Sequence, residues 1–193
     1  MASRAIKLDA QSIDQGVRPG ILTAPDLRNQ ANFRRDGIMN DTANGHAPTT
    51  PKAKTYHGGC FCGAVKLTVS GEPAGVGYCH CESCRSWSAA PVNAFTLWKP
   101  EAVRVTQGAE QIGTFNKTPQ SYRKWCKTCG GHLFTEHPGM GLIDVYAAVI
   151  PDFPYQPGVH VNYLETKLHI KDGLPKVRDV PTEMGGSGVL VAE

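Results

Sequence analysis

Val65, Leu67 and Val69 alternate with Lys66 and Thr68, the period-two pattern of a strand with one buried face. Ser70-Gly71-Glu72-Pro73 then reads as a turn, and Gly75-Val76-Gly77-Tyr78 leads on toward a cysteine group. Asn93-Ala94-Phe95-Thr96-Leu97-Trp98 is strand-like and stops before Lys99-Pro100. Ala102 to Thr106 forms another short strand, ended by Gln107-Gly108, and Ile112 and Phe115 fit a following one. The most apolar run, Leu142 to Ile150, is bounded by Gly141 and Pro151. Val161, Tyr163 and Leu164 mark a last short element, with Leu168 and Ile170 just ahead of Asp172-Gly173. No amphipathic helix of about ten or more residues is visible after residue 55. Many short strands between Gly/Pro turns predict a mainly β domain.

The pattern changes at the N-terminal side. Residues 1–54 contain a single aromatic, Phe33, and no cysteine. Residues 24–35 fit a short helix with Leu27 and Phe33 as its apolar contacts, and residues 37–55 are rich in Gly, Asn, Thr, Pro and Lys. Such a composition gives a linker rather than a core element. The expected organisation is an N-terminal extension and linker over 1–54, partly ordered at best, and a compact domain over 55–193 whose tail starts near 181.

Charge follows the same division. Residues 1–54 hold eight Lys/Arg against five Asp/Glu, and residues 55–193 hold twelve of each, so the whole net charge of +3 lies in the first segment. Arg34 and Arg35 are adjacent, but no basic run of five exists, which argues against nucleic-acid binding. The blander role for this segment is solubility or contact between two copies of the chain, a homodimer. No run near 18 apolar residues is present, so no membrane span is expected. The opening MASRAIKLDAQSIDQGVRPG lacks the apolar stretch of a secretory signal, and the expected compartment is the cytoplasm.

A reducing compartment disfavours disulfides, and seven cysteines cannot all pair within one chain. They fall into three groups: Cys60-Phe61-Cys62, Cys79-His80-Cys81-Glu82-Ser83-Cys84, and Cys126-Lys127-Thr128-Cys129-Gly130-Gly131. In extended backbone a C-x-C pair puts both thiolates on one side. A C-x-x-C turn aims two sulfurs at one point. Zinc accepts four thiolates at tetrahedral corners in closed structural sites, and Cys60, Cys62, Cys126 and Cys129 suffice for one. Gly130-Gly131 lets the backbone turn tightly beside it. Cys79, Cys81 and Cys84 are then left as three ligands with one open position, the arrangement of a reactive zinc site. Composition alone does not choose this partition, since Cys79 and Cys81 could join either outer pair. A redox C-x-x-C at 126–129 and a middle group of metal-free thiols are the competing readings.

Other residues near the cysteines carry weaker signals. His80 lies between two proposed ligands and in extended backbone points away from their side, so it is left to line a pocket or hydrogen-bond nearby. His57 and His132 are read as hydrogen-bonded structural residues. Glu82 and Arg85 flank Cys84 and could meet a substrate amine or carboxylate, or simply face solvent. Trp87, Trp98 and Trp125 are expected in the core or a pocket wall. Phosphate loops, the G-x-S-x-G elbow and the deaminase H-x-E signature are absent.

Three pieces together resemble the glutathione-dependent formaldehyde-activating enzyme family, also called the S-(hydroxymethyl)glutathione synthase or centromere protein V-like family. They are His57-Gly58-Gly59-Cys60-Phe61-Cys62-Gly63-Ala64-Val65, Tyr78-Cys79-His80-Cys81-Glu82-Ser83-Cys84-Arg85 and Trp125-Cys126-Lys127-Thr128-Cys129-Gly130, followed by Asp172-Gly173-Leu174-Pro175. The resemblance covers roughly residues 55–180. It implies an Mss4-like fold of small curled β-sheets with zinc-binding cysteine turns, and two zinc ions per chain. It matches Cys60, Cys62, Cys126 and Cys129 to the structural zinc, and Cys79, Cys81 and Cys84 to the catalytic zinc. The reaction it implies is carbon–sulfur lyase or synthase chemistry joining a small thiol, glutathione, to an aldehyde, formaldehyde. Two other functions compete: the same zinc pocket acting on another small electrophile or thioether, and a non-catalytic module held together by zinc. The departure from the family is the long segment that precedes Thr55.

Overall fold

The structure is a computed structural model that describes residues 53–192. The expected helix at 24–35 and the linker at 37–52 lie outside the described residues. The rest is mainly β, as the strand pattern predicts: ten strands in two sheets and one short α-helix.

The small sheet has the order β1 (Thr55–Gly59), β2 (Lys66–Ser70), β5 (Val103–Gln107), all antiparallel. The large sheet has seven strands. Its order runs from β10 (Val159–Val161) through β3 (Gly75–Cys79), β4 (Asn93–Trp98), β9 (Leu142–Tyr146), β8 (His132–His137) and β7 (Ser121–Cys126) to β6 (Ile112–Thr118). Only the β10–β3 pair in it is parallel. Helix α1 (Glu82–Ser88) follows β3 directly.

The alternation at residues 65–69 works as expected. Val65, Leu67 and Val69 are fully buried while Lys66 is exposed. With Tyr56 from β1 they form one side of the main core, and Trp98, Leu133, Val145 and Ile150 from the large-sheet side complete it. Phe153 meets Tyr56 and Trp98 edge to face there, and Tyr56 and Trp98 are tilted against each other. A smaller cluster, Cys79, Phe95, Leu97 and Val161, sits on β3, β4 and β10.

The apolar run at 142–150 is not one strand. Pairing ends at Tyr146, and Ala147–Val149 forms a 3-10 turn that buries Val149 and Ile150 in the main core. Apolar side chains serve a turn packed on a core as well as a strand, so the run does not mark where pairing stops. Tyr163 and Leu164 likewise belong to a 3-10 turn after β10, and Leu168 is exposed. Beyond residue 181 the chain folds back: Arg178 N–H donates to the Val189 carbonyl at 2.7 Å, and Met184 packs against the smaller cluster.

Gly58 shows how tightly β1 meets the turn after β9. A Cβ on it would lie 2.2 Å from the Val149 carbonyl oxygen. Backbone cannot yield as a flexible side chain does, so Gly58→Ala should cost about 1–3 kcal/mol, read as a lower urea midpoint at unchanged slope. Unchanged stability would mean that β1 and this turn are not held together.

Candidate metal centre and the adjoining cavity

Two groups of cysteine sulfurs converge, and each is built by local backbone features. Cys60 and Cys62 follow β1 of the small sheet; Cys126 ends β7 of the large sheet and Cys129 lies in the turn to β8. Their four sulfurs all lie within 4.8 Å of one another. Cys60 Sγ is 3.6 Å from Cys62 Sγ, and Cys62 Sγ is 3.9 Å from Cys126 Sγ. Sulfurs about 2.3 Å from a central zinc at tetrahedral corners would be about 3.8 Å apart, so this set fits a closed tetrahedral site. The turn is closed by Gly130 N–H donating to the Cys126 carbonyl at 2.8 Å and Cys126 N–H donating to the Gly131 carbonyl at 2.9 Å. Gly130 takes φ +72°, a conformation that favours glycine. Val65 and Gly131 N–H groups donate to the sulfurs of Cys60 and Cys129 at 3.2 and 3.4 Å. Burial opposes ionisation of Cys126, but backbone N–H groups of Cys129 and Thr128 outweigh it and lower its thiol to about 6.

Cys79, Cys81 and Cys84 form the second group, again within 4.8 Å of one another. Cys79 ends β3, Cys81 is the N-cap of α1, and Cys84 lies in its first turn. Each sulfur accepts one N–H from a different place. Cys81 Sγ accepts from Cys84 N–H at 3.3 Å, Cys79 Sγ from Asn162 Nδ2 at 3.5 Å, and Cys84 Sγ from Arg123 Nη2 at 3.9 Å. Asn162 reaches Cys79 from a left-handed position, φ +54°, just past β10. Hydrogen bonds from the Cys79 and Cys84 thiols, and then Cys84 N–H and the charge of Arg123, pull the Cys81 thiol far down despite its burial. The matching bonds push Cys79 up. The partition into four and three sulfurs is therefore the one that the backbone assembles.

A cavity of about 170 Å³ opens on the three sulfurs. Phe95, Leu97, Met140, Val161, Val180 and Met184 give it apolar walls. Three polar residues absent from the sequence reading also line it: His137, the last residue of β8, Asp144 in the middle of β9, and Asn162 just past β10. Asp144 is 5% exposed, and its Oδ1 has no hydrogen-bond partner among the described residues. Burial pushes its carboxyl up to about 7, against the opposing pull of the Thr96 backbone and Arg123. Nothing in LIDVY distinguishes this aspartate from one on an exposed strand face, so the sequence carried no signal for it.

Arg123 links these parts. It is 4% exposed on β7, donates to Ser83 Oγ at 3.0 Å, and lies over the Trp87 ring at 5.6 Å. Trp87 in turn stacks on His132 and Phe115.

His80 does not reach a sulfur. It is fully buried behind the ligands. The Thr166 hydroxyl donates to the Leu168 carbonyl at 2.9 Å, so it accepts from His80 Nδ1–H at 2.8 Å. His80 Nε2 lies 2.8 Å from His160 Nδ1, and His160 Nε2–H donates to Asp172 Oδ2 at 2.9 Å. Lys176 Nζ donates to the other Asp172 oxygen at 2.7 Å. The Asp172-Gly173 segment thus braces the cysteine loop from behind. Burial, then the charges of His160 and Arg85, lowers His80 to about 4. Arg85 Nε donates to the His80 carbonyl at 2.8 Å, and Glu82 N–H donates to Glu165 at 2.7 Å. Both residues line a separate polar groove with Lys167, away from the sulfur cavity. His57 lies on an outer cavity of the small sheet, and its N–H donates to the Asp152 carboxylate. Trp98 is core, and none of the three tryptophans lines the sulfur cavity.

The geometry now meets the known proteins. The family model for "Glutathione-dependent formaldehyde-activating enzyme" matches residues 55–166. That is more than half of the chain, and the chain belongs to this family. Similar relatives include an uncharacterized lyase of Schizosaccharomyces pombe, 33% identical over 41% of this chain and 56% of that protein. Another is a Pyrenophora teres f. teres protein named "Putative glutathione-dependent formaldehyde-activating enzyme", 29% identical over 50% of this chain and 54% of that one. The chain thus spans about half the length of these curated relatives. A crystal structure of a Rhodobacter sphaeroides protein matches with a TM-score of 0.43 and 23% identity, over 50% of this chain and 89% of that chain.

Two buried groups give opposite pH effects. Asp144, raised to about 7, binds a proton in the folded state before the unfolded state does, so its contribution to stability falls as pH rises from about 4 to 7. His80, lowered to about 4, makes stability rise with pH from about 4 to 6.5. Asp144→Asn should therefore gain stability over wild type between about pH 5 and 7.5, by up to roughly 4 kcal/mol. Urea unfolding of both proteins at each pH measures it. A constant difference would mean that Asp144 keeps an ordinary carboxylate environment.

Proposed function

We propose that the chain is a zinc-dependent carbon–sulfur lyase of the S-(hydroxymethyl)glutathione synthase type, joining glutathione or a related small thiol to formaldehyde or a similarly small aldehyde. In this reading Cys79, Cys81 and Cys84 hold the catalytic zinc, and Cys60, Cys62, Cys126 and Cys129 hold a structural one. The observation that carries it is the three-sulfur cluster facing a small, largely apolar cavity. Among the described residues no fourth His, Cys, Asp or Glu joins that cluster. A zinc ion bound there would lower the pKa of a thiol at its open position and hold it as thiolate. Membership of the family and the names of its relatives support the choice of thiol and aldehyde.

The chain's own residues supply confinement and charge balance. The apolar walls exclude water from the sulfur and the reacting carbon. Arg123 and Asn162 donate to ligand sulfurs and so draw charge from an otherwise electron-rich site. The cavity, about 170 Å³, is smaller than the roughly 300–1,000 Å³ of drug-sized sites. It has room for the thiol end and a one-carbon aldehyde, while the rest of a tripeptide stays outside. Seven unpaired cysteines suit a reducing cytoplasm. No helix of the described residues is long and apolar enough to cross a membrane.

The test combines metal content with exchange measurements of S-(hydroxymethyl)glutathione formation. Wild type should bind two zinc ions per chain and accelerate exchange. Cys81→Ser should lose one zinc and, with it, more than the 10–100-fold in rate that outer partners of a metal ligand cost, yet keep its fold. Cys129→Ser should lower the unfolding midpoint instead. Equal collapse of both variants, or a Cys81→Ser rate equal to wild type, would refute the division of roles. Wild-type exchange no faster than the buffer reaction would refute the named activity.

Residues 1–54 lie before the family match, and we treat them as an appendage to the catalytic unit. A chain lacking residues 1–50 should keep its far-UV circular dichroism and its rate. An unfolded product would place that segment in the core.

A further inference from the structure

Asp144 is the sole buried carboxylate among the described residues. It sits in the middle of β9 with a neighbouring strand on each side: Leu97 of β4 and Thr135 of β8 are its partners. A strand this central is a costly place for a charge. An unpaired buried polar atom is expensive to maintain, and Asp144 Oδ1 has no partner among the described residues. Its side chain nevertheless lines the cavity that the three sulfurs line. It is not one of the clustered ligands, since the group within 4.8 Å consists of the cysteines alone.

We propose that Asp144 is a further catalytic residue of this site: it takes the proton of the incoming thiol and returns it to the oxygen of the aldehyde. This role rests on the thiol–aldehyde reading above. The balance is closed. The thiol gives its proton to the Asp144 carboxylate, leaving thiolate and carboxylic acid. The thiolate electron pair forms the carbon–sulfur bond while the carbonyl π pair moves onto oxygen. The carboxylic acid then protonates that alkoxide, giving the S-hydroxymethyl product and restoring the carboxylate. No oxidant or reductant is needed.

The surroundings suit a group that must hold and release a proton. Arg123 from β7 favours the carboxylate, while Cys81 at the cap of α1 favours the acid. Tyr146 on the same strand and Tyr155 after the 3-10 turn are neutral phenols whose own ionisation Asp144 opposes. His137 at the end of β8 shares the cavity. It is the rival proton carrier, but its ring also faces a second, outer cavity, and its Nδ1 lies 3.4 Å from the Gln120 carbonyl. Asp144 lines the sulfur cavity and carries a buried oxygen without a hydrogen-bond partner among the described residues.

The test counts protons as well as turnover. Glutathione is titrated into the zinc-loaded full chain by calorimetry at about pH 8, in two buffers of different ionisation enthalpy. The glutathione thiol is still mostly protonated there. Wild type should release fewer protons per glutathione bound than Asp144→Asn, because the thiolate formed beside Asp144 raises its carboxyl further and lets it keep part of the proton given up by sulfur. Asp144→Asn should release about one per glutathione bound, and exchange to S-(hydroxymethyl)glutathione should fall by at least about 100-fold. Equal proton release in the two proteins overturns the role, even if turnover falls. Should the variant not fold, infrared difference spectra of wild type decide the matter. Glutathione should raise a protonated-carboxyl band, and its absence overturns the proposal. Absence of any glutathione binding overturns this role together with the thiol reading, whereas binding with equal release overturns Asp144 alone.

Discussion

The four sulfurs of Cys60, Cys62, Cys126 and Cys129 converge from two sheets that share one modest core. Cys60 and Cys62 leave the edge strand of the small sheet, and Cys126 and Cys129 leave the large one. Short strands bury little surface each, and a three-stranded sheet has limited stability by itself. A metal held by the cluster would fix β1 against the β7–β8 turn, beside the core in which Tyr56, Leu67 and Val69 meet Trp98, Leu133 and Val145. The sulfur cavity depends on this arrangement at one remove. Its Asp144 wall lies on β9, two strands from the cluster-bearing β7, and its ligand wall hangs from β3.

The cavity resolves a conflict between charge and solvent exclusion. Three thiolates in an apolar pocket would make an electron-rich, poorly solvated centre. The structure offsets that with N–H donors aimed at each sulfur and with one arginine held by Ser83 and the Trp87 face. Arg123 thereby bears on both the Cys84 sulfur and the Asp144 carboxyl, donating to the first and favouring the charged form of the second. Lysine would carry the charge but not the planar group that lies on an indole while donating sideways.

Much of this was legible in the residue pattern, for definite reasons. Alternation over 65–69 exposes one face of a strand to water, so burial writes itself into the sequence. The C-x-C and C-x-x-C spacings are short-range geometry, and the backbone brings those sulfurs together as the spacings require. What was hidden depends on distant pairing. β7 and β8 carry Arg123, Trp125 and His137 with no clean alternation, because both faces of these strands meet other side chains. Helix α1 is too short for periodicity to show. His80 was expected to face away from the ligands and does, but its buried partners His160 and Asp172 lie far along the chain.

The two cysteine sets differ in how far along the chain their members lie. Cys79, Cys81 and Cys84 fall within six residues, whereas Cys62 and Cys126 are 64 residues apart. Loop-closure entropy grows with the logarithm of that separation. During synthesis the near set is complete once Cys84 has left the ribosome, but the far set waits for Cys129 and for the β6–β7 hairpin ahead of it. Cys60 and Cys62 emerge before the near set and spend that interval as an unclaimed pair beside three neighbouring thiols. A metal ion captured early would therefore meet five sulfurs in sequence proximity before the last pair arrives, and only capture by Cys79, Cys81 and Cys84 alone would leave it with the ligands of the finished partition.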